Sequence, residues 1–125
     1  MDWERITRGK PKVVGSDTRW PGLLDVRIEL SATPPREWAE AFAHPPSFSI
    51  SMHPPRLEGR TVRLTPPDQE LEKYVEHVDA CIANANEQFE RVVLPQLREE
   101  AERAQAADTA RDQRIREAQA RADNL

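Results

Sequence analysis

Hydrophobic side chains recur along this chain with two different periods. Leu24, Val26, Ile28 and Leu30 alternate with Asp25, Arg27 and Glu29, which predicts a half-buried strand over 23–30. Phe48, Ile50 and Met52 alternate with Ser47, Ser49, Ser51 and His53, and Val62 and Leu64 carry the same alternation through 61–65. These two runs are expected to pair as an antiparallel hairpin around a turn region at 54–59. The second period is helical. Leu71, Val75, Val78, Ile82, Ala85, Phe89 and Val92 follow one another at steps of four and three, a heptad stripe that predicts a helix over 68–94.

Proline punctuates these patterns. Pro34-Pro35, Pro45-Pro46, Pro54-Pro55 and Pro66-Pro67 fall between the periodic runs, where a residue without a backbone N–H belongs. Thr33-Pro34-Pro35-Arg36-Glu37 reads as a helix start, because proline suits the first turn and a carboxylate suits the positive end of the helix dipole. A short helix over 35–43 is expected, with Trp38 and Phe42 on its apolar face. Thr65-Pro66-Pro67-Asp68 repeats the same grammar ahead of the long helix. Pro95 lies inside the helical pattern and predicts a kink or break there.

Beyond Pro95 the pattern changes. Residues 96–125 contain no proline, glycine or aromatic residue and are rich in Ala, Arg, Glu and Gln, all good helix formers except for their lack of a greasy face. Glu99–Arg103, Asp112–Arg116 and Glu117–Arg121 are acid-before-base pairs at i,i+4. Continued at heptad spacing, the stripe runs through Leu97, Ala101, Ala104, Asp108, Arg111, Ile115, Ala118 and Ala122, a poor seam with two charges in it. The opening residues, 1–22, are broken by Gly9, Pro11, Gly15 and Gly22, leaving short strand segments at 3–6 and 12–14.

The order of elements predicts an α+β fold. A small βαββα domain over 23–95 carries a three-stranded sheet with helices on one face. An N-terminal arm over 1–22 precedes it, and a polar helical tail over 96–125, able to form a coiled coil, follows it.

Charge narrows the functional classes. The formal net charge of -4 excludes a uniformly basic nucleic-acid binder. Residues 1–67 hold 10 basic and 8 acidic side chains, 68–95 hold 2 and 7, and 96–125 hold 6 and 7. The long helix is therefore the acidic element, and its face of Glu70, Glu72, Glu76, Asp79, Glu87 and Glu90 is a candidate surface for a basic protein partner. No run of 18 apolar residues exists, so no membrane-spanning helix is expected. The first residues lack the apolar stretch of a signal peptide, and a single cysteine, Cys81, fits a reducing compartment, so a cytoplasmic location is expected.

Candidate chemistry is sparse. His77 and Cys81 stand at i,i+4, but a zinc site needs three or four ligands, and His44 and His53 lack supporting spacing. No metal, cofactor or catalytic residue is expected. His53 with Ser49, Ser51 and Arg63 forms the one polar cluster on an outward strand face, without a Gly-rich phosphate loop or paired carboxylates. Arg5, Arg8, Lys10, Lys12 and Arg19, interleaved with Trp3 and Trp20, are candidates for phosphate and base contact.

A helix of 68–94 is ~40 Å long, whereas a seven-residue strand spans only ~23 Å. The overhang predicts apolar positions in need of cover. The expected function is thus a non-enzymatic interaction or scaffolding module, a homodimer or larger assembly. Its interface is expected at Phe89, Val92, Val93, Leu94 and Leu97, extended by Ala101, Ala104 and Ile115. The alternative is a nucleic-acid-associated accessory protein acting through the basic arm.

Overall fold

A computed structural model of the chain describes residues 3–16, 19, 22–45 and 53–125. The fold is α+β, as its periodicities predict. Strands β1 (Lys12–Ser16), β2 (Leu24–Glu29), β3 (Arg56–Glu58) and β4 (Thr61–Leu64) form an antiparallel sheet in the order β1-β2-β4-β3. Helix α1 (Arg36–Ala43) lies between β2 and β3 in sequence. After β4, one 3₁₀ turn at Asp68–Glu70 leads into α2 (Leu71–Gln88), a π turn (Phe89–Val93) and α3 (Leu94–Asp123).

The core follows the predicted inward set. Val26 and Ile28 on β2, with Leu30 just beyond it, and Val62 and Leu64 on β4 are at most 1% exposed. They meet Trp38 and Phe42 of α1, whose rings stack with centroids 5.5 Å apart, and Val78, Ile82, Ala85 and Phe89 of the long helix. A half-buried strand pair cannot stand alone in water; covering its apolar face with two helices removes that face from solvent.

Four strands replace the expected three. The first addition comes from the arm, where Lys12–Ser16 pairs with β2 and Val14 is the extra residue of a bulge between the Val13–Val26 and Gly15–Asp25 pairs. Upstream, Arg8 bridges Leu30, Gly9 N–H donates to Glu29 O and Ser31 N–H donates to Thr7 O, which extends the pairing to 7–9. Segment 3–6 forms no strand. The second addition is β3, inside the stretch expected to be a turn. β3 and β4 are joined by Gly59-Arg60, with Gly59 at φ +62°. A positive φ at the first of two loop residues matches the right-handed strand twist, and glycine takes it without a Cβ penalty. The predicted strand 47–53 falls outside the described residues except for His53, which lies outside any strand.

Pro95 does not break the long helix. The helix instead widens one turn before it: across Phe89–Val93 the bonding becomes π-type, and Leu94 N–H donates to Phe89 O. Pro95 then occupies the first turn of α3, where a missing N–H costs little. The wider turn also rotates the stripe. Val92, expected inward, is 44% exposed, while Leu94, five residues after Phe89, is buried at 5%.

Candidate functional site

The N-terminal arm crosses the long helix, and that crossing is the most specific polar arrangement in the molecule. Asn86 lies on the apolar face of α2 and is 5% exposed. Its Oδ1 accepts from Ile6 N–H at 3.0 Å and from Trp38 Nε1 at 2.9 Å, and its Nδ2 donates to Ile6 O at 2.9 Å. One amide thus satisfies both backbone groups of a buried arm residue and ties them to α1. A buried polar side chain is tolerated on this terms only, since each unpaired group would cost ~1–3 kcal/mol.

Charged contacts flank the clamp. Glu90 accepts from Trp3 Nε1 at 2.9 Å and from Arg5 through Nε (3.1 and 2.9 Å) and Nη2 (2.8 Å). Trp3 also covers Phe89, with ring centroids 4.2 Å apart. Arg8 binds Asp79 through Nε and Nη2. The Arg5 hydrogen bonds hold the Glu90 carboxyl below its ordinary value, with Trp3 adding to the effect. Arg5 and Arg8 are raised in turn, each chiefly by the hydrogen bond to its carboxylate.

This arrangement reassigns several predicted residues. Arg5 and Arg8, candidates for phosphate contact, are engaged by carboxylates of the same chain. Lys10, Lys12 and Arg19 are exposed, and Trp20 lies outside the described residues. Two carboxylates of the acidic helix face, Asp79 and Glu90, receive the chain's own arm. Phe89 and Leu94, expected at an intermolecular interface, are spent inside the core because Trp3 and the π turn bring them there. Val93 and Leu97 are partly buried against the same core. Only Val92, Ala101, Ala104 and Ile115 of that predicted interface are exposed.

The sheet face that carries Arg27 and Arg63 holds a feature that linear sequence hides. Lys12 pairs with Arg27, Arg27 with Arg63, and Arg63 with Arg56, so four basic residues form one row across all four strands. Directly paired residues share a face. Asp25 Oδ2 lies 3.7 Å from Arg27 Nη2 and 3.8 Å from Arg63 Nη2, and Glu58 Oε1 lies 3.5 Å from Arg63 Nη1. Asp25 Oδ1 and Arg63 Nε are buried, with no hydrogen-bond partner among the described residues. The signal was the strand register, which a single sequence does not carry. The predicted neighbours Ser49 and Ser51 lie outside the described residues.

Among the described residues, the remaining candidates are His77, Cys81 and His44. Cys81 Sγ is 3.5 Å from His77 Nε2 on the buried face of α2. Burial pushes the thiol up to about 11 and pulls the imidazole down, so both favour their neutral forms. A neutral thiol is a poor nucleophile. His44 Nδ1 sits 2.9 Å from Glu40 O, beside an open depression of about 230 Å³ lined by Ala41, His44, Asn84 and Gln88. That is smaller than the ~300–1,000 Å³ of ordinary ligand clefts. Among the described residues, no group of three or more His, Cys, Asp or Glu side chains could hold a metal ion, and no helix is long and apolar enough to cross a membrane.

From Arg98 onward every residue of α3 is exposed. The helix leaves the head and continues for ~39 Å with no tertiary partner among the described residues. Its local pairs are Glu99–Arg103 at 3.4 Å and Asp108–Arg111 at 2.9 Å, while Glu117, expected to pair with Arg121, accepts from Gln113 at 3.1 Å. Comparison with known proteins adds no relative to this geometry: no protein-family description matches the chain, and neither curated proteins nor solved structures give a significant match.

Proposed function

We propose that this protein is a non-enzymatic self-associating module, an α+β head from which α3 projects as the arm that joins two copies. The supporting observation is the exposure of the whole of α3 beyond Leu97. Isolated helices of this kind are marginal in water, because nucleation is costly and propagation gains little per residue. Surface ion pairs add only ~0.2–0.5 kcal/mol each. A second copy supplies the missing surface, with Leu97, Ala101, Ala104 and Ile115 as the apolar contacts. Phe89 and Leu94 belong to the head in this reading.

Light scattering on the full chain at micromolar concentration is expected to give a dimer or larger species. Ala104→Glu with Ile115→Glu, both exposed positions, is expected to yield a monomer whose head still unfolds cooperatively. A wild-type chain that stays monomeric at high concentration refutes the proposal.

A second reading is favoured by the Lys12–Arg27–Arg63–Arg56 row. A polyanion such as nucleic acid would bind there rather than at Arg5 and Arg8, which carboxylates of the same chain engage. Asp25 and Glu58 offset part of that charge, which makes this reading the weaker one. Binding that falls steeply with salt and is lost in Arg27→Glu with Arg56→Glu would support it.

A further inference from the structure

Resting on the self-association proposed above, we infer that two copies meet with their α3 helices antiparallel, in one register fixed by Asp108 and Arg111. These two residues interrupt the seam, and they decide its direction. Counting heptads from Leu94, Ala101, Asp108, Ile115 and Ala122 occupy one seam position and Leu97, Ala104, Arg111 and Ala118 the other.

In a parallel pair each seam residue faces its own copy. Asp108 would face the partner's Asp108, and Arg111 the partner's Arg111, which buries two like-charge contacts at the centre of the interface. In an antiparallel pair the two seam positions face each other. Asp108 then faces the partner's Arg111, and Arg111 the partner's Asp108. The two side chains already form a 2.9 Å ion pair within one helix and are 58% and 62% exposed. Juxtaposing two such pairs closes a ring of alternating charge.

The register that makes this match also sorts side-chain size. It sets Ala104 opposite the partner's Ile115 and Leu97 opposite the partner's Ala122, a large residue against a small one in these two layers, with Ala101 opposite the partner's Ala118 between them. Beside the seam, it brings Glu100 next to the partner's Arg121. An antiparallel shift of one heptad in either direction removes the match: Asp108 then meets Ala104 or Ala118, and Arg111 meets Ala101 or Ile115. Paired charges at seam positions commonly fix orientation and register at some cost in stability.

Disulfide trapping tests the inference on the full chain, with Cys81 left in place because it is 1% exposed. Ala104→Cys and Ile115→Cys are made as separate proteins. In the antiparallel pair the two copies of position 104 are ~16 Å apart along the axis. That exceeds the ~7 Å between Cα atoms that a disulfide spans. Neither variant alone should form a covalent dimer, whereas an oxidised mixture of the two should. Covalent dimer from Ala104→Cys alone would overturn the antiparallel arrangement and leave self-association standing. A non-covalent dimer that yields no cross-link in any arm would overturn the α3 interface. A monomer in light scattering with no cross-link would overturn both readings. As a second measurement, Asp108→Arg should weaken association and Asp108→Arg with Arg111→Asp should restore it; no restoration would count against the facing pair.

Discussion

Between Leu71 and Gln88 the long helix buries seven side chains and receives the N-terminal arm; between Arg98 and Asp123 it buries none. The two stretches differ little in backbone and greatly in what holds them. In α2 the apolar face is a stripe wide enough to hold Tyr74, Val78, Ile82 and Ala85, and its helicity is secured by packing against α1 and the sheet. In α3 helicity rests on composition, on alanines and long charged side chains that lose little freedom in a helix. A helix specified by packing depends on its own chain. A helix specified by propensity alone depends on conditions, or on a second surface.

The sharpest way to break the comparison lies in α2. Val78→Asp places a carboxylate at a position that is 0% exposed, and an unpaired buried charge costs several kcal/mol out of a typical ~5–15 kcal/mol. The head is expected to lose cooperative unfolding in circular dichroism, while Glu76→Ala, on the exposed face, changes little. A soluble Val78→Asp protein with a wild-type melting curve would show that this face is not packed.

The next effect is at the clamp. Asn86→Ala leaves Ile6 N–H, Ile6 C=O and Trp38 Nε1 without partners, and at ~1–3 kcal/mol each the loss should reach ~3 kcal/mol or more in denaturant titrations. The arm should loosen at the same time. A change below ~0.5 kcal/mol would mean that water or rearrangement satisfies these groups.

The smallest effect is a pH dependence. Glu90 is held below its unfolded value by Arg5 and Trp3, so its contribution is complete above the unfolded carboxylate value and is lost as pH falls through the folded one. His77, held below 6.5 by burial, acts in the same direction: under mildly acidic conditions the unfolded chain takes up a proton that the folded chain resists. Stability should therefore decline on acidification. The Trp3 indole N–H resonance should shift as Glu90 protonates, and Glu90→Gln should abolish that shift. An indole resonance that follows pH identically in Glu90→Gln would remove the Trp3–Glu90 bond from the account.

Sequence periodicity carried β2, β4, α1 and the core face of α2, because each buries one side of a regular repeat. It missed β3, where Leu57 is the lone apolar residue and no alternation can show. It marked a short strand at 12–14, within β1, but not its place in the sheet, because Val13 and Val14 are both exposed and a bulge interrupts the period. The clamp left a trace: Asn86 stands four residues beyond Ile82, a polar side chain on an apolar stripe. So did the docking of the arm, since a basic leading segment and an acidic helix in one chain are complementary. Reading each as a surface for an outside partner overlooked that complementarity. The rotation of the stripe was beyond reach, because Pro95 announces a disturbance without saying that a π turn will absorb it.

The claim that α2 is held by its own chain and α3 by a second copy is tested most directly by amide hydrogen exchange across a dilution series. Protection of α2 should be the same at every concentration, set by the unfolding of the head. Protection across 98–123 should rise with concentration in step with dimer formation, because association stabilises only the paired form. Protection of α3 that is high and independent of concentration in a monomeric chain, or absent even in a proven dimer, would contradict the account.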